Sequence, residues 1–235
     1  MLFRSKSFNI NRSDNSNSLN RSQSSPNLSS LSFDAKASLV SEKISLSKAY
    51  EISRLIKLRI ENSKWKLKLD KKERRDTELR NWNDRCIYSC GVLQSIQERV
   101  GRTLREDIHE QEKYHCFVAN FRGTPVGVLI LTITEKKLLN APKFLPDIPL
   151  ILDISTHPGI RGGGISLIEC AVNVSYQLGK NGVVQLTPID ESEGSYKYMG
   201  FNKIQSNRLV FMVLRPAESP KWQLIEGRYR FLWNV

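Results

Sequence analysis

Leu152-Asp153-Ile154-Ser155-Thr156-His157-Pro158-Gly159-Ile160-Arg161-Gly162-Gly163-Gly164-Ile165-Ser166 is the stretch on which the reading of this chain turns. An apolar, β-branched run ends at Thr156 and a glycine-rich turn follows. From Gly163 to Leu178 apolar residues then return at helical spacing, as Ile165, Ile168, Val172 and Tyr176. Glycine lets the backbone come close to a ligand, and the unpaired amides that begin a helix favour an anion. A strand, turn and helix in this order read as a cradle for a phosphate or pyrophosphate. The stretch is not a Walker loop, because no Gly-Lys-Ser/Thr follows, and it does not match Gly-x-Gly-x-x-Gly.

Outward from the turn, the pattern on both sides is β-rich. Tyr114 to Asn120 and Pro125 to Thr134 read as strands joined through Phe121-Arg122-Gly123-Thr124 as a hairpin, and Leu150 to Thr156 as a third. After the helix come a strand over Gly182 to Leu186, a short helix around Ser192 to Tyr198 and a last strand over Arg208 to Leu214. That succession is a mixed α/β layer architecture. Upstream, Ala49, Ile52, Leu55, Ile56 and Ile60 mark an amphipathic helix with Ser47 as its cap. A second helical stretch starts at Thr77 and a third runs through Val92, Ile96 and Val100, punctuated by Gly91 and Gly101. Residues 34–113 are thus expected to be a helical segment packing on the sheet, and 114–235 the core.

Two further features join the glycine turn. Arg161, Gly162, Gly163, Gly164, Ile165 and Ser166 resemble the Arg/Gln-x-x-Gly-x-Gly/Ala signature of the GNAT N-acyltransferases, with Ser166 where Gly or Ala is usual. Ser195-Tyr196-Lys197-Tyr198-Met199-Gly200-Phe201 resembles the same family's tyrosine before Gly-Phe, and the hairpin Phe117–Leu129 resembles its strand pair. The resemblance covers about 100 residues and implies a mixed, mostly antiparallel central sheet with flanking helices. It implies acyl transfer, most simply of acetyl, from acetyl-CoA or another acyl-CoA to an amine. The backbone of Arg161, Gly162, Gly163, Gly164, Ile165 and Ser166 would hold the pyrophosphate, with the Arg161 side chain nearby. Backbone groups of Ile154 and Thr156 would pair with the pantetheine arm, and the thioester would enter between this strand and the next. Tyr196 stands where the proton for the leaving thiolate is supplied.

The base that takes the proton from the amine stays open. Asp153 is an acid on the right strand, but alternation sets it opposite Leu152 and Ile154, and apolar Leu150 or Ile151 occupies the family's usual acidic position. His157 at the strand exit, Glu191 or a water relay are the other candidates.

Composition bounds the rest. Of the net charge of +12, residues 1–33 carry +3, 34–113 carry +5 and 114–235 carry +4, so the excess is spread along the chain. The local exception, Lys64 to Arg75, suits a solvated helix face or a nucleic-acid contact, and the salt dependence of binding would tell these apart. Four scattered cysteines and three histidines give no metal-ligand spacing and no disulfide framework, so no metal is expected. No run of about 18 apolar residues is present to span a membrane.

Residues 1–33 form a Ser/Asn/Arg-rich leader too poor in large apolar side chains to order itself. The leader lacks the apolar core of a secretory signal. Its Ser/Arg-rich, acid-poor composition suits an organellar transit peptide, but its abundant Asn more closely resembles the leaders of bacterial effectors exported by needle-type secretion systems, which would add a host protein to the candidate amines and a host cell to the cytoplasm as a location. Within it, Arg21-Ser22-Gln23-Ser24-Ser25-Pro26 has the shape read by phosphoserine-binding adaptors. The competing class of function is a CoA-binding or partner-binding module without turnover.

Overall fold

The computed structural model describes residues 38–63, 65–68, 77–133, 147–189, 192–206 and 209–233, all within one unit, Asp34–Val235. The leader with its Arg21–Pro26 motif, Glu191 and most of the basic run lie outside the described residues.

The centre of the fold follows from β2 (Tyr114–Phe121) and β3 (Thr124–Thr132), whose side chains alternate between two covered faces. Cys116, Val118, Val128 and Ile130 are buried in one cluster, and Phe117, Ala119, Leu129 and Leu131 in the other. The two strands meet at Arg122 and Gly123, with φ of 49° and 75°. A two-residue turn with both φ positive matches the twist of a hairpin, as the sequence predicts.

Around this pair the sheet adds β1 (Leu39–Ile44), β4 (Leu150–Thr156), β5 (Val184–Leu186), β6 (Asn202–Ser206) and β7 (Leu209–Leu214) in the order β1-β2-β3-β4-β5-β7-β6. Every neighbouring pair is antiparallel except β4 with β5. The mixed, mostly antiparallel sheet with flanking helices is the expected fold class. Helices α1 (Leu46–Asn62) and α2 (Thr77–Thr103) cover one face through Ile52, Ile56, Leu93 and Ile96. A single turn, α3 (Ile108–Gln111), leads into β2, and α4 (Gly163–Gln177) covers the other face through Leu167, Ile168 and Ala171. A short α5 (Glu193–Tyr198) links β5 to β6.

Four expectations need correction. The segment 34–113 is not wholly helical, because it opens with β1, which pairs with β2 from Leu39↔Phe121 to Ile44↔Cys116. This edge strand carries Ser41, Glu42 and Lys43, the polar composition by which edges avoid further pairing, and so lacks an apolar signal. Helix α1 is capped by Ser45, whose Oγ accepts from Lys48 N at 3.2 Å, rather than by Ser47. The second and third helical stretches are one helix, α2, running through Gly91 and Gly101. Each glycine costs roughly 1 kcal/mol against alanine, which the burial of Leu93, Ile96 and Val100 on the sheet outweighs.

The fourth correction is that β7 does not end the fold. A hairpin of β8 (Trp222–Ile225) and β9 (Arg228–Phe231) follows and packs Trp222, Tyr229 and Phe231 into the α4 cluster. Side chains one turn apart on α4 serve β9 as a partner strand would. Glu169 Oε1 accepts from Phe231 N at 2.7 Å, and Asn173 accepts from Tyr229 N at 2.8 Å while donating to Tyr229 O at 3.0 Å. Nothing in the periodicity of β8 and β9 announces this docking, since the bonds that tie β9 to the rest of the fold come from helix side chains.

Candidate active site

β4 pairs with β3 from Thr132↔Leu150 to Gly127↔Thr156, yet with β5 only through Leu150↔Gln185 and Ile151↔Leu186. The two parallel strands are pinned at their start, where buried Gln185 donates from Nε2 to Ile148 O at 2.9 Å, and beyond Ile151 the edge of β4 has no β5 partner. Parallel strands leave a sheet at the same end. The glycine turn that follows β4 and the α5 helix that follows β5, with Tyr196, are therefore delivered to one end of the sheet.

A β-bulge redirects the side chains of β4. Its register against β3 steps from Ile130↔Asp153 to Leu131↔Ile151, leaving Leu152 as the extra residue. Leu152 consequently packs in the α1/α2 cluster beside Asp153, while Ile154 packs in the α4 cluster. The simple alternation that set Asp153 opposite Leu152 fails at the bulge. Asp153 Oδ2 accepts from Arg99 Nε at 2.6 Å and Oδ1 from Ser95 Oγ at 3.2 Å, so the carboxylate fastens α2 to the sheet. Ser89, also on α2, donates from Oγ to Thr156 O at 3.1 Å and accepts from Ser155 Oγ at 3.2 Å.

His157 closes the strand. Its backbone N donates to Val126 O at 2.6 Å, and its Nδ1 accepts from Gly159 N at 3.2 Å, which places the imidazole proton on Nε2. Trp65, from the connection between α1 and α2, meets the imidazole edge-on at 4.6 Å and lies so close to Gly159 that an added Cβ would fall 2.9 Å from its ring. Two partners on α2 hold that connection: Trp82 Nε1 donates to Trp65 O at 2.8 Å, and Asn83 bonds both backbone groups of Leu67 at 2.7 and 3.0 Å. Of the basic run, Lys66 and Lys68 point outward while Trp65 and Leu67 are partly buried.

Burial lowers the pKa of His157, helped by the nearby Arg59. A group whose pKa falls on folding contributes its full stability above the unfolded value, about 6.5, and loses it as pH drops through the folded value. Unfolding midpoints measured from pH 7.5 down to pH 5 should therefore fall, and His157→Gln should flatten that slope. An unchanged slope would mean that this imidazole titrates alike in both states.

The helix after the turn begins at Gly162, which has φ +83° and serves as N-cap without a side-chain cap. The first backbone closure is Ser166 N to Gly162 O at 3.1 Å, so the amides of Gly163, Gly164 and Ile165 have no partner inside the helix. No acid lies in the first turn and Arg161 is exposed, leaving the positive end of α4 uncompensated. A Cβ on Gly164 would meet nothing within 4 Å, whereas one on Gly162 would sit 2.5 Å from the Trp233 ring. Ser166 Oγ bonds Ser41 Oγ on β1 at 2.7 Å, away from the helix end.

Tyr196 is partly buried and meets Phe201 edge-on at 5.5 Å. Burial pushes its phenol up to about 12, against a smaller opposite effect of the Ser192 hydroxyl, so Oη holds its proton throughout the neutral range. Among the described residues no three His, Cys, Asp or Glu side chains converge as a metal site would require, and no helix is long and apolar enough to cross a membrane.

Apart from Tyr196 on α5, the sequence-chosen residues separate into two groups. Ile154, Thr156 and Arg161 to Ser166 lie together along the strand exit and helix start, whereas Asp153 faces α2 and His157 is turned under Trp65. Trp65, Trp82, Asn83 and Ser89 were missed by the sequence reading. The one available signal was two tryptophans, one inside the basic run and one just after it.

No protein-family model matches the chain, and no curated protein matches it. Solved structures do resemble it. One is a GNAT-family acetyltransferase from Desulfovibrio desulfuricans, 12% identical over 75% of this chain and 98% of that one, with a TM-score of 0.44. PaiA N-acetyltransferase from Thermoplasma acidophilum, in complex with coenzyme A, is 13% identical over 75% and 97%, with a TM-score of 0.42. The Bacillus subtilis N-acetyltransferase YlbP, also in complex with coenzyme A, is 13% identical over 76% and 97%, with a TM-score of 0.39. What this chain is similar to, in each of these cases, is an acetyltransferase, the first of them of the GNAT family.

Proposed function

We propose that the chain is an acyl-CoA-dependent N-acyltransferase that moves an acyl group, most simply acetyl, to an amine. The observation that carries this reading is the slot between β4 and β5, which ends at an uncapped, glycine-built helix start. A free strand edge suits the amide-bearing arm of CoA, and a helix start with open space at Gly164 suits its pyrophosphate. The residues present fit the group. The amides of Gly163, Gly164 and Ile165 would bind the phosphates with Arg161 beside them, and the backbone of Ile154 would take the arm. Thr156 would join once its carbonyl is shared with Ser89.

Acyl-CoA supplies an activated thioester, whose acyl group the amine takes while CoA leaves as the thiol. Tyr196 keeps a proton on Oη for that leaving group. His157 acts by positioning, because its Nδ1 lone pair holds Gly159, and Asp153 by fastening α2 to β4. Proton loss from the amine then runs to solvent. Amines on proteins, including those of a host, and small amines all fit this chemistry.

The hydrogen bonds that already engage His157 Nδ1 and both oxygens of Asp153 also favour a second reading, a CoA-binding module without turnover. A thiol-release assay with acetyl-CoA and a panel of amines separates the two. Wild type should release thiol, and Tyr196→Phe should lower kcat by about 100-fold at unchanged acetyl-CoA affinity. Tight binding with no thiol release from any amine would support the second reading and retire the first.

A further inference from the structure

Beside α4, a groove of about 600 Å³ runs between β1 and β9. Its apolar floor includes Leu39, Phe117, Val174 and Trp233, and its rim carries Lys43, Arg228 and Arg230. The two acids that also line it are already engaged. Glu169 accepts from Phe231 N and lies 3.7 Å from Arg230, and Glu42 accepts from Asn120 Nδ2 at 2.9 Å. Lys43 and Arg228 make no ion pair among the described residues, and both are exposed.

We propose that this groove is a second ligand site, for a small amphiphile with an apolar body and one anionic head. The size matches that of small-molecule sites, and an apolar floor under a rim with two uncommitted cations selects that combination over a neutral or cationic ligand. The body lies on Leu39 and Trp233, and the head meets Lys43 and Arg228. Ser166 lines the groove, but through a hydroxyl bonded to Ser41 rather than through the backbone proposed for acyl-CoA, so the site stands or falls separately. It does touch the turn, because the ring of Trp233 and the side chain of Leu39 are the groups that crowd Gly162, at 2.5 and 3.3 Å from an added Cβ. A molecule seated on Trp233 therefore acts on the residue that starts α4.

The test uses the full chain and octyl phosphate as probe, with octylamine as the charge control. Calorimetry should show saturable binding of octyl phosphate, and of octylamine at least about tenfold more weakly. In ¹H–¹⁵N spectra the Trp233 indole and the Gly162 amide should shift together. Lys43→Glu with Arg228→Glu should weaken octyl phosphate at least about tenfold without moving the unfolding midpoint, since both side chains are exposed. Lys43→Met, which removes the charge at nearly the same side-chain length, should show a smaller loss of the same sign. Equal binding of octylamine, undiminished binding by the double variant, or no saturable binding by wild type would each overturn the proposal.

Discussion

Gly164→Leu is expected to remove acetyl-CoA binding, by at least about 100-fold in affinity, while the protein stays folded. The position lies in the first turn of α4, and nothing stands within 4 Å of an added Cβ. The first carbon of the new side chain therefore meets no neighbour, and replacing glycine in a helix removes a cost of roughly 1 kcal/mol. The unfolding midpoint should hold or rise. The same side chain would fill the space that a pyrophosphate needs against the amides of Gly163, Gly164 and Ile165. Calorimetric titration and thermal unfolding of the one variant check both halves. Wild-type affinity in a folded Gly164→Leu would remove the helix start from the binding site.

Two residues earlier the opposite outcome is expected. Gly162→Ala should destabilise the fold by about 3 kcal/mol, measured as a drop in the urea midpoint. Part of this is the left-handed φ of +83°, which costs an L-residue roughly 1–2 kcal/mol. The rest is steric, since the methyl group would fall 2.5 Å from Trp233 and 3.3 Å from Leu39. Trp233 belongs to the packing around Phe231, which it meets edge-on at 5.8 Å, so the ring yields only by loosening that cluster. A double variant with Trp233→Ala tests the division. The added cost of Gly162→Ala should shrink to the backbone part once the ring is gone. An equal cost in both backgrounds would mean that the ring moves aside freely.

These two glycines show what the sequence could and could not convey. Both stand in one run of three, and the motif treats the run as a unit. Only the three-dimensional neighbours separate the glycine required by conformation from the one that leaves room. The central strands were legible because β2, β3 and β4 are apolar and bounded by clear turns. β1 was not legible, since an edge strand of Leu39-Val40-Ser41-Glu42-Lys43-Ile44 has one exposed side and little apolar pattern. The hairpin β8–β9 was missed for a different reason. Glu169 and Asn173 on α4 supply the hydrogen bonds that dock β9 on the helix, and neither end of that pairing leaves a local signature.

The candidate site divides in the same way. Ile154 and the run Arg161 to Ser166 are placed by backbone pattern, which a sequence displays. Asp153 and His157 are side chains whose surroundings come from α2 and from the connection after α1, distant in sequence. A bulge at Leu152 turned Asp153 to Arg99, and Trp65 covered His157. Ser166, in place of the Gly or Ala of the motif, turns out to be bonded to Ser41 rather than aimed at the helix end, so that departure leaves the helix-start amides unobstructed by its hydroxyl.

The central claim is that the slot beside β4 and the start of α4 together hold an acyl-CoA. Titration of the ¹⁵N-labelled full chain with acetyl-CoA tests it most directly. Saturable shifts concentrated at the amides of Ile154, Gly163, Gly164 and Ile165 and at the residues around Tyr196 are the predicted result. No saturable shift, or shifts gathered elsewhere on the sheet with these amides unmoved, would contradict it.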